Sequence, residues 1–349
     1  MKALIDKLQA GLDLTPDDIN YGVAVLLLPT ATDDMKAQFL TALHKKGESV
    51  EEIAGFTRQL ISRAVDPEIE IEKLSGPAID ICGTGGDGLD LFNVSTTAMF
   101  ILAAGGAAVV KHGNRAVTSR CGSADVLEAL GIAIDLRPDE LKECVERHGV
   151  GFLFARQYHP AFRAIAEMRA RLARQNTRTI FNLLGPLLNP ARPTRQLIGV
   201  YASRLTTVFA EVLRQLGCEK AWIVHGLTET GAGMDDISIS GATTVAELTG
   251  EKLSSAVMDV SWLGVARAGV DELRGGDDRE NAAIIEGILS GKISGPKRDM
   301  AIVNAAAGFV VAGLAGNLND GIPRATEQID SGRALEKLRA LQNFRRTVS

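Results

Sequence analysis

Apolar residues at helical spacing fill the start of the chain, up to about Val65. Leu4, Leu8 and Leu12 recur every fourth position, which places them on one face of a helix. Further helix starts are indicated where a small hydroxyl residue precedes acidic residues, because the hydroxyl caps free amides and the acids favour the positive end of the helix dipole. The pattern predicts a small helical domain. The starts are Thr15-Pro16-Asp17-Asp18, Thr32-Asp33-Asp34 and Ser49-Val50-Glu51-Glu52.

After Asp66-Pro67 the pattern changes to short apolar runs that alternate with amphipathic stretches. The short runs predict strands, and the stretches between them predict helices that connect parallel strands. The predicted strands are 78–82, 107–111, 132–136, 151–155, 197–201 and 221–225. The predicted helices include 125–130, 138–147, 162–172, 205–216 and 333–346.

These elements predict an α/β fold, with a small N-terminal helical domain and a larger domain that has a mainly parallel central sheet flanked by helices. We place the helical domain at residues 1–72 and the α/β domain at residues 73–349. The segment 181–193 has three prolines and a glycine, so it is conformationally restricted. Part of 165–195 is therefore a candidate second passage that joins the helical domain.

Composition narrows the classes of protein that fit. The 349 residues are 46% apolar and 23% charged, which is typical of a globular chain with a large core. The net charge of -5 without a basic block argues against general nucleic-acid binding. No apolar run approaches the roughly 18 to 20 residues that cross a bilayer. Four separated cysteines without a C-x-x-C pair, and no signal-peptide pattern, indicate a soluble cytoplasmic protein with reduced thiols.

A glycine-rich segment, residues 83–88, follows the first predicted strand and reads GTGGDG. It matches the dinucleotide-binding pattern G-x-G-x-x-G, but that fingerprint needs an acid at the end of the second strand. Lys111 and His112 stand there instead. The P-loop pattern G-x-x-x-x-G-K-[ST] does not occur in the chain. Both nucleotide interpretations are therefore disfavoured.

A sugar diphosphate is the third candidate ligand of this segment. Consecutive glycines let backbone amides approach phosphate oxygens, and Asn93, Ser95 and Thr96 stand at the start of the next helix, where an anion binds well. Asp87 repels a bare phosphate, so it fits a diphosphate bridged by Mg²⁺ or a ribose hydroxyl. The alternative is a glycine-rich turn without a ligand.

The second predicted strand ends in a cluster of cations. Lys111, His112 and Arg115 surround Gly113-Asn114, and the segment 122–125 opens a further helix beside them. In open α/β sheets, ligands bind at the carboxyl ends of the strands. The two strand ends therefore predict one wall of a pocket.

Taken together, these motifs resemble the anthranilate phosphoribosyltransferase family, which shares its fold with pyrimidine nucleoside phosphorylases. The resemblance extends over nearly the whole chain and implies transfer of a phosphoribosyl group from phosphoribosyl pyrophosphate to anthranilate, in tryptophan biosynthesis. It further implies pyrophosphate release, Mg²⁺ as cofactor and a homodimer. The motifs that carry it, in chain order, are GTGGDG, FNVST, KHGNR, GSADVLEALG, HPAFR, RTIFNLLGPLLNP and MDDIS.

The resemblance also implies roles for individual residues. For phosphoribosyl pyrophosphate these are Gly83, Thr84, Gly85, Gly86, Asp87, Asn93, Ser95, Thr96, Lys111 and Ser123. For anthranilate they are Gly83, His112, Asn114 and Arg169, and for the metal they are Ser95, Asp235 and Asp236. No residue is assigned as a general base, because an aromatic amine keeps an available lone pair near neutral pH and positioning dominates.

The chain departs from the family pattern in two respects. The second metal-binding acid is Asp236, where the family usually has the longer glutamate. The spacings before RTIFN and before the acidic pair are longer than usual, so Arg171 competes with Arg169 for the acceptor carboxylate. The alternative functions are a transferase with another acceptor, a nucleoside phosphorylase, or a non-catalytic nucleic-acid-binding homologue.

Overall fold

The computed structural model describes residues 1–116, 120–175 and 177–348, with side chains as far as residue 344. The N-terminal part is helical, as the capping pattern predicts. Thr15, Thr32 and Ser49 each accept a hydrogen bond from the backbone N–H three residues later, at 3.2 to 3.3 Å. These caps set the starts of the second, third and fourth helices. The four helices are α1 (Lys2–Gln9), α2 (Pro16–Leu27), α3 (Asp33–Lys46) and α4 (Val50–Ile61).

One sheet organises the rest of the described chain. Its strands are β1 (Ala78–Gly83), β2 (Ala108–Gly113), β3 (Val150–Phe154), β4 (Arg195–Gly199), β5 (Lys220–Leu227), β6 (Gly233–Met234), β7 (Thr243–Thr249) and β8 (Lys252–Met258). Their order is β3-β2-β1-β4-β5-β7-β8, and β6 pairs with β5. Strands β1 to β5 are parallel, whereas β6, β7 and β8 pair antiparallel. The predicted fold class is confirmed.

Some of the remaining helices pack against this sheet, and others pack against other helices. They are α5 (Val94–Ala104), α6 (Ser123–Ala129), α7 (Pro138–His148), α8 (Ala155–Tyr158), α9 (Ala166–Arg174), α10 (Phe181–Leu184), α11 (Leu205–Gln215), α12 (Asp278–Leu289), α13 (Pro296–Ala312), α14 (Leu318–Asp330) and α15 (Arg333–Val348). Helix α13 is buried from Met300 to Ala312 and packs against α5, β1 and β4. Among the described residues, no helix is both long and apolar enough to cross a membrane.

The apolar core has two parts. One part surrounds α5, α13 and the sheet. The other joins the N-terminal helices to residues of 165–188, so that Phe39 and Leu40 share a cluster with Ile165, Met168 and Phe181. The segment with the prolines therefore packs with the helical bundle. The division of the chain at residues 72 and 73 stays a prediction.

Two predicted elements are wrong in detail. Residues 132–136 form no strand, although Ile132, Ile134 and Leu136 are buried. Alternating apolar residues bury one side of an extended segment, but a strand also needs a paired neighbour, and β3 occupies that end of the sheet. The predicted helix 162–172 is divided into a 3-10 helix, Pro160–Ile165, followed by α9.

Candidate active site

The glycine-rich segment forms a loop at the carboxyl end of β1. Gly85, Gly86 and Gly88 have φ of +67°, +81° and +74°, a left-handed backbone that favours glycine. Thr84 anchors the loop to the end of β4, since its N–H donates to the Gly199 carbonyl at 2.9 Å. The Gly85 N–H donates to Asp235 Oδ2 at 2.6 Å. The loop and the late acidic pair therefore meet.

Asp235 and Asp236 follow β6 directly, and both are half-buried. Burial and the neighbouring carboxylate of Asp87 raise the pKa of Asp235. Burial and the charges of Asp235 and Asp87 raise the pKa of Asp236 well above its ordinary value. Close carboxylates raise the pKa values of one another, and a bound cation would relieve that repulsion. Glycines leave room for this arrangement, because a Cβ on Gly83 would lie 2.2 Å from Asp235 Oδ2.

Lys111 lies beneath this acidic cluster. Its side chain is 1% exposed, and its ammonium donates to the Ile81 carbonyl and to Ser95 Oγ, the latter at 3.1 Å. Burial lowers the pKa of Lys111, and the charges of Asp235 and Asp236 oppose that shift. Strand β2 thus brings the Lys111 ammonium into contact with Ser95, and the ligand role of both residues stays a prediction.

The N-terminus of α5 carries two buried oxygen atoms without a partner among the described residues, Asn93 Oδ1 and Thr96 Oγ1. The Asn93 Nδ2 donates to the Cys121 carbonyl at 3.3 Å, which fixes the side chain. Buried polar atoms normally have partners, so these two oxygens indicate a place for a ligand or water. They lie where the sequence predicts an anion site.

Asn114 and Ser123 are adjacent at the end of β2. The Ser123 Oγ donates to the Asn114 carbonyl at 3.3 Å, and the Arg115 N–H donates to Asn114 Oδ1 at 2.8 Å. The Arg115 side chain instead pairs with Asp125 at 3.0 Å and with Glu128 at 2.5 Å. Of the two basic residues in the KHGNR motif, Lys111 and Arg115, Arg115 is therefore committed to structural ion pairs.

A row of aromatic rings runs from His112 to Arg169. His112 contacts His159 edge-on with centroids 5.4 Å apart, and His159 stacks on Phe162 at 5.0 Å. Phe162 in turn contacts Phe181 at 5.6 Å, and the Arg169 Cζ lies 5.0 Å from the Phe181 ring centroid. Rings and a guanidinium in sequence match an aromatic acid, since the rings stack and the cation pairs with a carboxylate.

The two candidate arginines have different surroundings. Arg169 forms no hydrogen bond or ion pair with any described residue, and burial lowers its pKa. Arg171 pairs with Asp34 at 2.8 Å on the surface of the helical bundle. A buried guanidinium without an anion is unfavourable, so Arg169 is the one prepared for a carboxylate ligand.

Burial lowers the pKa of both histidines in the row, His112 and His159. Burial lowers the pKa of His112 to about 3. Its Nδ1 lies 3.2 Å from the Gly185 carbonyl, which only accepts, so Nδ1 carries the proton. Its Nε2 is then a buried acceptor without a partner among the described residues. These properties suit a pocket wall, and that role of His112 stays a prediction.

Sequence reasoning missed a buried polar pair under the site. Asp80, in the middle of β1, accepts from the His112 N–H at 3.2 Å and from Asn189 Nδ2 at 2.8 Å. The same Asn189 amide donates to the Val110 carbonyl at 2.7 Å. The signal was available, because a charged residue inside an apolar strand is rare without a partner. Phe162 and Phe181 were also missed, although both lie in quoted motifs.

These geometric features define a two-part enzyme, with a glycine loop and acids on an α/β domain beside a helical bundle. Two family models match this division. Residues 2–64 match the helical bundle domain of the glycosyl transferase family, and residues 75–335 match its a/b domain. The class is therefore that of this glycosyl transferase family.

Curated relatives and solved structures refine the class. An anthranilate phosphoribosyltransferase of Rhodopseudomonas palustris is 43% identical over 97% of this chain and 96% of its own. One of Methanosarcina barkeri is 42% identical over 99% and 90%. The crystal structure of the Thermus thermophilus enzyme matches with a TM-score of 0.89 and 38% identity over 98% of this chain and 99% of that one.

Two structures from Saccharomyces cerevisiae are also similar, each at 27% identity over 98% of this chain and 96% of that one. One, in complex with PRPP and Mg, has a TM-score of 0.86, and one, in complex with 4-fluoroanthranilate, has a TM-score of 0.84. The chain therefore belongs to the anthranilate phosphoribosyltransferase family of enzymes.

Proposed function

We propose that this protein transfers the phosphoribosyl group of phosphoribosyl pyrophosphate to the amine of anthranilate and releases pyrophosphate. The full-length relatives bear this activity in their names. Among the similar structures, one has PRPP and Mg bound and another has an anthranilate analogue bound. Those ligands support the same two substrates and the same cofactor for this chain.

One observation at the end of β2 carries the proposal. The side chains of neighbouring strand residues point to opposite faces of the sheet. Here one side chain reaches the acidic cluster and the next reaches the aromatic row. Lys111 contacts Ser95 next to the acidic cluster, whereas His112 contacts His159 in the aromatic row. A two-substrate transfer needs both substrates at one place, and this strand end lies between the two.

The donor half is assigned to the loop, the acids and α5. We propose that backbone amides of Gly83, Thr84, Gly85 and Gly86 approach the diphosphate, with Asn93, Ser95, Thr96, Lys111 and Ser123. Cleavage of the bond to the anomeric carbon places negative charge on the leaving oxygens, so amides and a cation aimed at them lower the barrier. The unpartnered oxygens of Asn93 and Thr96 are free to accept ribose hydroxyls.

The acceptor half is assigned to the aromatic row. We propose that Arg169 binds the carboxylate of anthranilate, while Gly83, His112 and Asn114 border its ring. The neutral His112 is suited to this wall because it adds no charge beside the amine. The amine needs no strong base, so orientation of its lone pair toward the anomeric carbon is the main contribution of these residues.

The residues present also fit Mg²⁺. Within the described residues, no group of three His, Cys, Asp or Glu side chains is placed to hold a metal ion by itself. Mg²⁺ usually binds through one or two carboxylates and substrate phosphates, so Asp235 and Asp236 with the nearby Asp87 suffice. We propose that this cluster and Ser95 hold the ion. When bound, Mg²⁺ neutralises charge on the diphosphate.

The activity is tested by the loss of anthranilate fluorescence after phosphoribosyl pyrophosphate and Mg²⁺ are added. A parallel reaction with uridine and phosphate tests the phosphorylase alternative on the same preparation. We expect loss of fluorescence in the first reaction and no product in the second. Retained fluorescence with folded protein contradicts the proposal, and a product in the second reaction favours the phosphorylase.

The acceptor assignment is tested by two arginine variants. Arg169→Met should raise the anthranilate KM about tenfold to a hundredfold, because a charge-assisted hydrogen bond contributes about 1.5–3 kcal/mol. The KM for phosphoribosyl pyrophosphate should change little. Arg171→Met is the matched control, since Arg171 pairs with Asp34 at the surface. A rise of anthranilate KM in the Arg171 variant alone would reassign the site.

We also propose a homodimer formed through the helical bundle and a cytoplasmic location. The helical bundle exposes large apolar side chains at Leu12, Tyr21, Leu28 and Met35. A second copy of the chain fits such a surface, and light scattering in solution tests it. Four free, buried cysteines support a reducing compartment.

A further inference from the structure

We propose that Arg178 is a positioning residue for the donor half-reaction, and that it clips the glycine loop to the end of β4 by stacking on Tyr201. The inference deepens the proposed function and rests on it. Arg178 belongs to the RTIFN motif, but the sequence indicates no role for it.

Arg178 contacts both the glycine loop and Tyr201, and Tyr201 itself contacts the loop. Its Cζ lies 3.9 Å from the centroid of the Tyr201 ring, and its Nη2 donates to the Gly86 carbonyl at 3.3 Å. The Tyr201 N–H donates to Thr84 Oγ1 at 3.1 Å. The glycine loop is therefore held at two points, at Gly86 by Arg178 and at Thr84 by the Tyr201 backbone. The stacking of Arg178 on Tyr201 joins these two points.

The loop needs such an anchor because glycines hold it poorly. Gly85, Gly86 and Gly88 have left-handed backbones, and glycine loses more conformational freedom on ordering than any other residue. A loop that is ordered before the donor arrives binds it more tightly, since less entropy is lost at that step. Gly86 has no side chain to pack, so its backbone carbonyl is the group that can accept a hydrogen bond from a side chain outside the loop.

The charge of Arg178 is not committed elsewhere. The guanidinium is exposed and forms no ion pair with any described residue. It contacts a loop that contains Asp87 and whose Gly85 N–H donates to Asp235. A planar guanidinium stacks on tyrosine and reaches a carbonyl at the same time, which a lysine does not reproduce. The structure therefore favours arginine in particular at this position.

The segment that contains Arg178 also contributes to the proposed anthranilate pocket. Ile180 and Phe181 follow Arg178 closely and belong to the apolar cluster of the helical bundle, and Phe181 supports Arg169. The clip thus ties the donor loop to the element that presents the acceptor pocket. Its loss should loosen the loop and leave the aromatic row in place.

The test compares Arg178→Met with Arg174→Met, a control in the same segment whose side chain is exposed and forms no hydrogen bond or ion pair with the described residues. Titration calorimetry gives the Kd of phosphoribosyl pyrophosphate with Mg²⁺, and steady-state kinetics give both KM values. We expect Arg178→Met to weaken donor affinity about tenfold, from loss of one stacking contact and one hydrogen bond, with the anthranilate KM unchanged. Hydrogen exchange of residues 83–91 in the free protein should accelerate.

Two further variants separate stacking from charge. Tyr201→Ala should reproduce the effect of Arg178→Met, whereas Tyr201→Phe should retain wild-type donor affinity because it keeps the ring. Arg178→Lys should resemble Arg178→Met. A lysine variant with wild-type affinity, or unchanged hydrogen exchange and donor affinity in Arg178→Met, overturns the clip. Wild-type protein that binds no donor would instead contradict the proposed function itself.

Discussion

Gly83 offers a steric test of the donor site, because the substitution to alanine acts on one identified carboxylate. An added Cβ would lie 2.2 Å from Asp235 Oδ2, 2.9 Å from its Cγ and 3.2 Å from its backbone oxygen. Ordinary contacts are roughly 3.5 Å, so the carboxylate must move by about 1 Å. The nearby backbone oxygen limits movement of the chain, and the side chain therefore yields first.

The magnitude follows from the hydrogen bond that this movement breaks. Asp235 Oδ2 accepts from the Gly85 N–H at 2.6 Å. Loss of a hydrogen bond to a charged group costs about 1.5–3 kcal/mol, which corresponds to about tenfold to a hundredfold in affinity. We expect Gly83→Ala to weaken the apparent affinity for Mg²⁺ and phosphoribosyl pyrophosphate by that factor. Titration calorimetry and a Mg²⁺ titration of the rate measure it.

Gly185→Ala is the matched control for this experiment. Gly185 has φ of -46°, and no other atom lies within 4 Å of an added Cβ. This variant should keep wild-type donor and metal affinity. Gly83→Ala with the same affinities would refute the placement of Asp235 in the donor site, since the clash would then have no consequence for the ligands.

Two smaller predictions concern stability. Burial raises the pKa of Asp80 to about 6, so this carboxyl stabilises the fold below about pH 4 and that contribution is lost as the pH rises through 6. A difference of about two pKa units corresponds to about 3 kcal/mol in the free energy of unfolding. Asp80→Asn removes this pH-dependent loss of stability. Denaturant unfolding should show the variant gaining that much relative to wild type between about pH 4 and 7, and parallel curves would contradict this. Ser49→Ala removes the cap of α4 and should cost about 1 kcal/mol in urea unfolding, whereas an unchanged midpoint would argue against the cap.

Local chemistry explains why much of the fold was predictable. Thr15 and Ser49 cap helices through contacts only three residues away, so the sequence itself contains both partners. The antiparallel β7–β8 hairpin was not predicted, because β8 is an edge strand whose residues are nearly all exposed and lack an apolar pattern. The strand predicted at 132–136 was wrong for the opposite reason, since these residues have an alternating apolar pattern but no neighbouring strand to pair with.

The motifs predicted that the residues of the proposed donor site lie near strand ends. Their hydrogen-bond partners could not be predicted, because they are far away in the sequence. Asp235 meets Gly85 across 150 positions and Arg178 meets Gly86 across 92. The choice between Arg169 and Arg171 stayed open in the sequence, since both lie on one helix. Their surroundings differ because Asp34 of the helical bundle pairs with Arg171.

The α/β class, the capped starts of α2, α3 and α4, the glycine loop and the chemistry of its neighbouring cations and acids could all be derived from the amino-acid sequence. Those features depend on residue type and on spacing within a few positions. The folded chain was needed to show which charges are paired, which buried polar atoms lack a partner among the described residues, and how the aromatic row connects His112 to Arg169. Such properties depend on distance in space and on loss of water, and both arise when distant segments pack together.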